Sequence, residues 1–171
     1  MFTNKILKRL NANNNERNNS EYWDNRVKNF TNSSKVNENL IWRTSKEHFD
    51  HWDNIHKSTI KLHYSKGWKL LDIGCGYGRY HEFITKLNMN YFGIDTSKNM
   101  IDEAIKYNKS DKFKIYNGTN IPFNDNEFDM IISVLCLSSI NNTIEDEMIR
   151  VVKPNRPILI LDENYISIYW K

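Results

Sequence analysis

Leu70-Leu71-Asp72-Ile73-Gly74-Cys75-Gly76-Tyr77-Gly78-Arg79-Tyr80 places three glycines in five positions directly behind an apolar run. A strand that ends in such a turn brings bare backbone up to a ligand, because glycine alone tolerates the tight dihedrals and the close approach. Two phosphate-binding readings weaken at once. A P-loop would end in Gly-Lys-Ser/Thr, and nothing of that kind follows Gly78. The dinucleotide fingerprint places its last glycine one position later, where Arg79 stands. What is left is an acidic residue, Asp72, a G-x-G-x-G loop and a second acidic residue, Asp95, about 20 residues further on, the spacing that addresses ribose hydroxyls. The pattern grips a ribose without a pyrophosphate.

Outward from this loop the chain alternates short apolar runs with amphipathic windows. Strands are expected over 68–73, 91–94, 113–116, 128–134 and 157–161, and helices over 80–87, 97–107 and 144–152. Ser97 stands where an N-cap is wanted, and Pro154 ends the last helix. Such alternation predicts an α/β fold: a Rossmann-like, doubly wound, mostly parallel sheet of about five strands with helices on both faces.

The first forty residues differ in character. Asn11 to Ser20 is nearly all asparagine with scattered charge, too poor in apolar surface to offset chain entropy. Beyond it, Tyr22, Trp23, Val27 and Phe30 have helical spacing, and a second helix is expected from Ser45 into the mid-sixties through Phe49, Trp52, Ile55, Ile60 and Leu62. At 171 residues the chain holds one domain with decoration: an N-terminal extension over 1–44 and the α/β domain over 45–171.

Composition narrows the partners. The net charge of +3 is spread among nearly as many acidic groups, so no basic stripe marks a nucleic-acid surface. Cys75 and Cys136 are far apart and form no C-x-x-C pair, which argues against a disulfide framework and a zinc site and for a reducing compartment. No signal-peptide core and no run of roughly 18 apolar residues is present, so the expectation is a cytoplasmic protein with no membrane span.

Together these segments resemble class I S-adenosylmethionine-dependent methyltransferases, and within them the small-substrate "type 11" branch. Leu70 to Tyr80 resembles their first motif. Tyr91-Phe92-Gly93-Ile94-Asp95-Thr96-Ser97, followed by Met100, Ile101 and Ala104, is similar to their second. Asn117-Gly118-Thr119-Asn120-Ile121-Pro122-Phe123 is similar to the segment after strand three, with Asn117 where an aspartate usually addresses the adenine; Phe128 to Ser133 resembles their fourth strand. Met148 to Pro154 resembles the turn into strand five, with Asn155-Arg156 in place of the usual Gly-Gly; asparagine tolerates the left-handed backbone a glycine would supply. The match runs in order from Trp68 to Asp162. The resemblance implies S-adenosyl-L-methionine as cofactor, held by Asp72, Gly74, Cys75, Gly76, Gly78, Asp95, Thr96, Asn117, Gly118 and Ser133. It implies methyl transfer to a small molecule, lipid precursor or sugar, with tRNA kept open as acceptor.

Family members continue past strand five with a helix and an antiparallel hairpin, whereas this chain ends ten residues after Leu161, at Ile166-Ser167-Ile168-Tyr169-Trp170-Lys171. The expectation is a sheet that lacks the hairpin, its open edge covered by this tail within the chain, in a homo-oligomer or against a partner subunit. Candidates for a proton acceptor are His48 and His51, with Ser138 after strand four able to orient an acceptor by hydrogen bonding. His48 and His51 also admit a metal reading, set below solvated helix histidines, and no metal is expected. Trp23, Trp42, Trp52 and Tyr22 either line an acceptor pocket or, as aromatics on short helices commonly do, simply pack. The competing functional reading is a non-catalytic, partner-stabilising subunit.

Overall fold

The computed structural model describes residues 20–30, 45–136, 144–163 and 165–171. Helices α1 (Ser20–Phe30) and α2 (Lys46–His63) precede β1 (Lys69–Ile73), α3 (His81–Lys86), β2 (Asn90–Asp95), α4 (Lys98–Asn108), β3 (Phe113–Ile115), β4 (Met130–Val134), α5 (Ile144–Val151), β5 (Pro157–Leu161) and β6 (Ile166–Trp170). The strands form one sheet in the order β3-β2-β1-β4-β5-β6, and the first five run parallel. All residues of β4 and β5 are buried, which is why they read as near-continuous apolar runs, broken only by Ser133 in β4: a parallel strand is covered on both faces. The strand order reverses between β1 and β4. The loops leaving these two strands therefore diverge, and a crevice opens at their carboxyl ends.

The two faces are covered unequally. Leu70, Met130, Ile132, Leu159 and Leu161 turn to one face, under Ile60 of α2, Tyr80 and Ile84 at α3, and Ile101 and Ala104 of α4. Leu71, Ile73, Ile94, Ile131, Ile158 and Ile160 turn to the other, where α5 contributes Ile144, Met148 and Val151. No helix lies between β3 and β4. Phe92, Phe123 and Phe128 take that place as an edge-to-face trio with ring centroids 4.9 to 5.9 Å apart. A cavity of about 500 Å³ beside them is lined by Phe92, Lys114, Pro122, Phe123, Asn124 and Glu127, and shares no residue with the glycine loop.

Helix α1 packs against α4, with Val27 buried and Asp24 making hydrogen bonds to the start of that helix. Asp24 Oδ1 accepts from Ser97 Oγ at 2.6 Å and from the Asn99 amide at 3.0 Å, while Ser97 Oγ accepts from the Met100 amide at 3.1 Å. Ser97 is the expected N-cap of α4, and Asp24 adds a carboxylate at the positive end of that helix.

One expectation needs correction: among the described residues the sheet has six strands, where about five were expected. The tail folds back as β6 and pairs antiparallel with β5, with Ser167 opposite Ile160 and Tyr169 opposite Ile158, so it covers the chain's own edge. Alternation over five residues fits a strand, but Ile166, Ile168 and Trp170 keep 38%, 38% and 59% of their surface exposed. With only one neighbour and no buried apolar face, the segment lacks the hydrophobic signature that marked the other strands. Asn155 takes φ +57° in the turn before β5, the left-handed conformation expected of it.

The register of β6 makes a differential prediction. The Asp162 amide donates to Tyr165 O at 3.0 Å and the Lys171 amide to Arg156 O at 3.3 Å, so the alternating ladder makes Ile160–Ser167 a bonded pair and turns the Ile168 amide outward. Ser167→Pro should cost on the order of 2–3 kcal/mol in urea unfolding, and Ile168→Pro less than half of that. Equal losses would contradict this pairing.

Candidate functional site

The glycine loop is tied to the end of β2 rather than left open as a cradle of amides. Gly74 and Cys75 amides both donate to Ile94 O, at 2.8 and 3.0 Å, the Gly78 amide to Cys75 O at 3.0 Å, and the Gly76 amide to Asp95 Oδ2 at 2.9 Å. These donors are committed, so the loop is no phosphate nest, in line with the weakening of both phosphate readings in the sequence. Gly78, at φ +78°, has no room for a side chain: a Cβ would lie 2.6 Å from the Phe113 ring and the Asn108 amide. A Cβ at Gly76 would meet only Met100 Sδ, at 3.9 Å, so the loop's open backbone face is there.

Asp95 stands at the carboxyl end of β2 with Oδ1 accepting from the Ser97 amide at 2.9 Å and Oδ2 engaged by Gly76. Burial pushes its pKa up, and the amides of Ser97, Gly76 and Thr96 pull it back. The carboxylate keeps acceptor capacity for a ligand. Asp72, 2% exposed, accepts a 2.8 Å hydrogen bond from the Tyr91 hydroxyl. Its pKa is pushed up to about 7, chiefly by burial, with the Tyr91 bond opposing. Burial also raises the Cys75 and Cys136 thiols, so neither is a thiolate at neutral pH.

The loop after β4 meets the glycine loop directly. Leu135 is left-handed at φ +58°, a strained conformation for a bulky residue, fixed by its amide donating to Leu161 O at 2.8 Å. This turn lays Cys136 on Gly74, where a Cβ would overlap the thiol. Ser133 is buried at 1% within β4; among the described residues its hydroxyl lacks a nitrogen or oxygen partner, and the Cys136 thiol is its polar neighbour. Gly118 and Thr96 lie against each other, a Cβ on Gly118 falling 3.3 Å from Thr96 Cγ2, so the segments after β2 and β3 converge. Asn117 behaves differently from the sequence expectation. Its exposed side chain closes a turn, Oδ1 accepting from the Thr119 and Asn120 amides at 3.0 and 2.8 Å, which occupies both lone pairs meant for an adenine amino group.

The histidines separate. His48 Nε2 lies 3.6 Å from Glu163 Oε2, beside the turn after β5, while His51 is exposed with its ring edge-on to Trp52 at 5.5 Å. Ser138 and Trp42 lie outside the described residues. His56, grouped in the sequence with the other helix histidines and not singled out, falls on the buried stripe Phe49, Asp53, His56, Ile60 of α2. That spacing was the available signal. Arg79 Nη2 donates to Tyr80 Oη at 2.9 Å, Tyr80 Oη lies 3.3 Å from His56 Nδ1, and His56 Nε2 lies 3.5 Å from Asp162 O. With Arg79 donating to the hydroxyl, Tyr80 donates to Nδ1 and the imidazole carries its proton on Nε2. The chain of bonds joins α2, the end of the glycine loop and the turn after β5. Burial lowers the His56 pKa to about 4.

Comparison with known proteins bears on this geometry. Residues 71–160 match the family model described as "Methyltransferase domain". The chain is similar to a demethylmenaquinone methyltransferase of Geobacillus, 30% identical over 112 residues, covering 60% of this chain and 48% of that protein. It is likewise similar to phosphoethanolamine N-methyltransferase 1 of Arabidopsis thaliana, 31% identical over 109 residues, covering 60% and 22%. It thus spans about half or less of the curated relatives it matches. Among solved structures, an S-adenosylmethionine-dependent methyltransferase from Aquifex aeolicus superposes with a TM-score of 0.59 at 21% identity, covering 69% of this chain and 68% of that one. At that identity the likeness speaks for the fold.

His56 makes stability depend on pH. Its folded pKa of about 4 lies below the unfolded value of 6.5, so between these values the unfolded chain binds the extra proton. The contribution of neutral His56 is therefore complete above about pH 6.5 and is lost as pH falls toward 4, on the order of 3 kcal/mol in all. Asp72 slopes the opposite way over this range, so the readout is the difference in urea stability between the protein and His56→Gln. That difference should shrink steadily from pH 6.5 to 4; a constant difference would remove His56 from the account.

Proposed function

This chain belongs to the methyltransferase domain family, and from that premise we propose that it binds S-adenosyl-L-methionine at the carboxyl ends of β1 and β2 and methylates a small molecule. The observation that carries the reading is Asp95, held by the Gly76 and Ser97 amides in front of the open backbone of Gly76. An acidic residue at that place accepts from both hydroxyls of a ribose. Thr96 and the Asn117-Gly118 segment, which the structure brings against the end of β2, frame the adenine; with the Asn117 side chain occupied, the role falls to the backbone. Gly74, Cys75, Gly76, Gly78 and Asp72 flank the amino-acid end, and Ser133 with Cys136 packs behind the loop.

When bound, the cofactor supplies a methyl on a sulfonium, an excellent leaving group, so most of the protein's work is to align the acceptor. The acceptor enters from the side framed by α2 and the turn after β5, where Trp52, His48 and Glu163 meet. His48, oriented by Glu163, takes the acceptor's proton where one must leave, and His51, turned to solvent, takes no part. The names of the relatives, a demethylmenaquinone and a phosphoethanolamine methyltransferase, support a small-molecule acceptor. Residues 1–44 form an extension to the domain over 45–171. No described helix is long and apolar enough to cross a membrane, and we place the reaction in the cytoplasm.

Titration calorimetry with S-adenosylmethionine and its demethylated product tests the reading. Both should bind, and Asp95→Ala should weaken each about 10- to 100-fold, the loss of hydrogen bonds to a charged group worth about 1.5–3 kcal/mol. Binding of neither ligand would remove the function, and unchanged affinity in the variant would remove the ribose from Asp95.

A further inference from the structure

The sheet has two outer edges, and they are finished differently. Strand β3 is three residues long, with exposed Lys112 before it and exposed Lys114 within it, and short length with lysine is how an edge is kept from pairing. Strand β6 has five residues, Ile166-Ser167-Ile168-Tyr169-Trp170, with no charge, proline or glycine among them. Its ladder with β5 bonds Tyr165, Ser167, Tyr169 and Lys171 inward, so the amides and carbonyls of Ile166, Ile168 and Trp170 point outward, and among the described residues no strand takes them up. The side chains of the same three residues share a face. Ile166 and Ile168 stand opposite Leu161 and Leu159, which turn to the side of α2, and the Trp170 ring lies 6.3 Å from the His63 ring of that helix. Yet α2 leaves the three of them 38%, 38% and 59% exposed.

We propose that the outer edge of β6 pairs antiparallel with the β6 of a second copy of this chain, about a two-fold axis at Ile168. In that register the segment is complementary to itself. Ile168 faces its own copy and each Ile166 faces the other's Trp170, so every outward amide of the three residues meets an outward carbonyl. Residues directly opposed across an antiparallel pair share a face, which sets the exposed Ile166, Ile168 and Trp170 side chains of both copies against one another on the α2 side. The ends match as well. Asp162 and Glu163 precede the strand and Lys171 follows it, so an antiparallel copy brings the basic end of each chain beside the acidic end of the other, whereas a parallel copy would bring like beside like. Pairing of β6 with the β3 of another copy would instead build an open-ended filament, and the lysines of β3 guard against it. The two-fold joins two six-stranded sheets into one, with the glycine loops opening toward opposite ends. One strand edge and three side chains bury less than the roughly 800 Å² per partner of a standard interface, so the dimer is reversible and depends on concentration.

Sedimentation of the full chain over about 1–100 µM should show the weight-average mass rising from that of a monomer toward that of a dimer. Ile168→Lys, which sets two like charges face to face on the axis, should raise the dissociation constant about 10- to 100-fold. Cysteine cross-linking reads the register and carries the test if the lysine variant fails to fold. Under mild oxidation Ile168→Cys should cross-link to its own copy, whereas Ser167→Cys, which faces Tyr169 of the second copy, should do so about 10-fold more slowly or not at all, with the parent chain setting the background. A monomer across the whole range would leave the β6 edge to a different occupant and overturn the proposal. Equal cross-linking at both positions, or a dimer that Ile168→Lys leaves intact, would place the contact elsewhere and overturn it too, and species growing beyond the dimer would overturn the two-fold.

Discussion

The carboxylate of Asp95 holds two backbone amides that belong to different elements, and the functional end of the molecule is organised around that clasp. Gly76 arrives from β1 and Ser97 leads into α4, so one side chain fixes the loop, the end of β2 and the start of a helix in a common frame. Burial works against the charge and the amides restore it. Losing the clasp would strand two N–H groups in a half-buried crevice, a penalty of about 1–3 kcal/mol for each. The frame extends outward through Ser97, whose hydroxyl receives Met100 and gives to Asp24, so even α1 is positioned from this point.

The uneven covering of the sheet follows from the same organisation. Helices α2, α3 and α4 lie on one face, and their first turns or preceding residues, Arg79 and Tyr80 for α3 and Ser97 for α4, face the crevice. On the other face α5 stands with an aromatic trio in place of a helix between β3 and β4. That side needs only to exclude water from the strands, and three rings locked edge to face do so with few residues. The polar side chains that build the site accordingly lie at the carboxyl ends of the strands, among segments that approach from the first face.

Most of the fold was legible because its signals are local. The glycine loop, the N-cap Ser97 and the largely apolar runs of β1, β4 and β5 each state their conformation within a few residues, and Asn155 takes the left-handed turn foreseen for it. What escaped depends on partners distant in sequence. Strand β6 is defined by the edge it covers, and Asp24 becomes a cap only because Ser97 and Asn99, 73 and 75 residues away, present a hydroxyl and an amide. His56 looked like one helix histidine among several until Tyr80 and Asp162 closed around it. The Asn117 side chain is engaged for the opposite, local reason: it closes a turn, a competition that asparagine is prone to win.

Two buried titratable groups, His56 and Asp72, lie near the glycine loop, and burial drives both toward their neutral forms. Their effects on stability run in opposite directions with pH. His56 favours the folded chain as pH rises from 4 to 6.5, and Asp72 disfavours it as pH rises from 3.8 to 7, so across the shared range the two slopes largely cancel. Around the loop, Asp53 and Arg79 face one another at 3.9 Å and Asp95 is engaged by the Gly76 and Ser97 amides. In such a low-dielectric setting an incoming fixed charge is felt more strongly than in water.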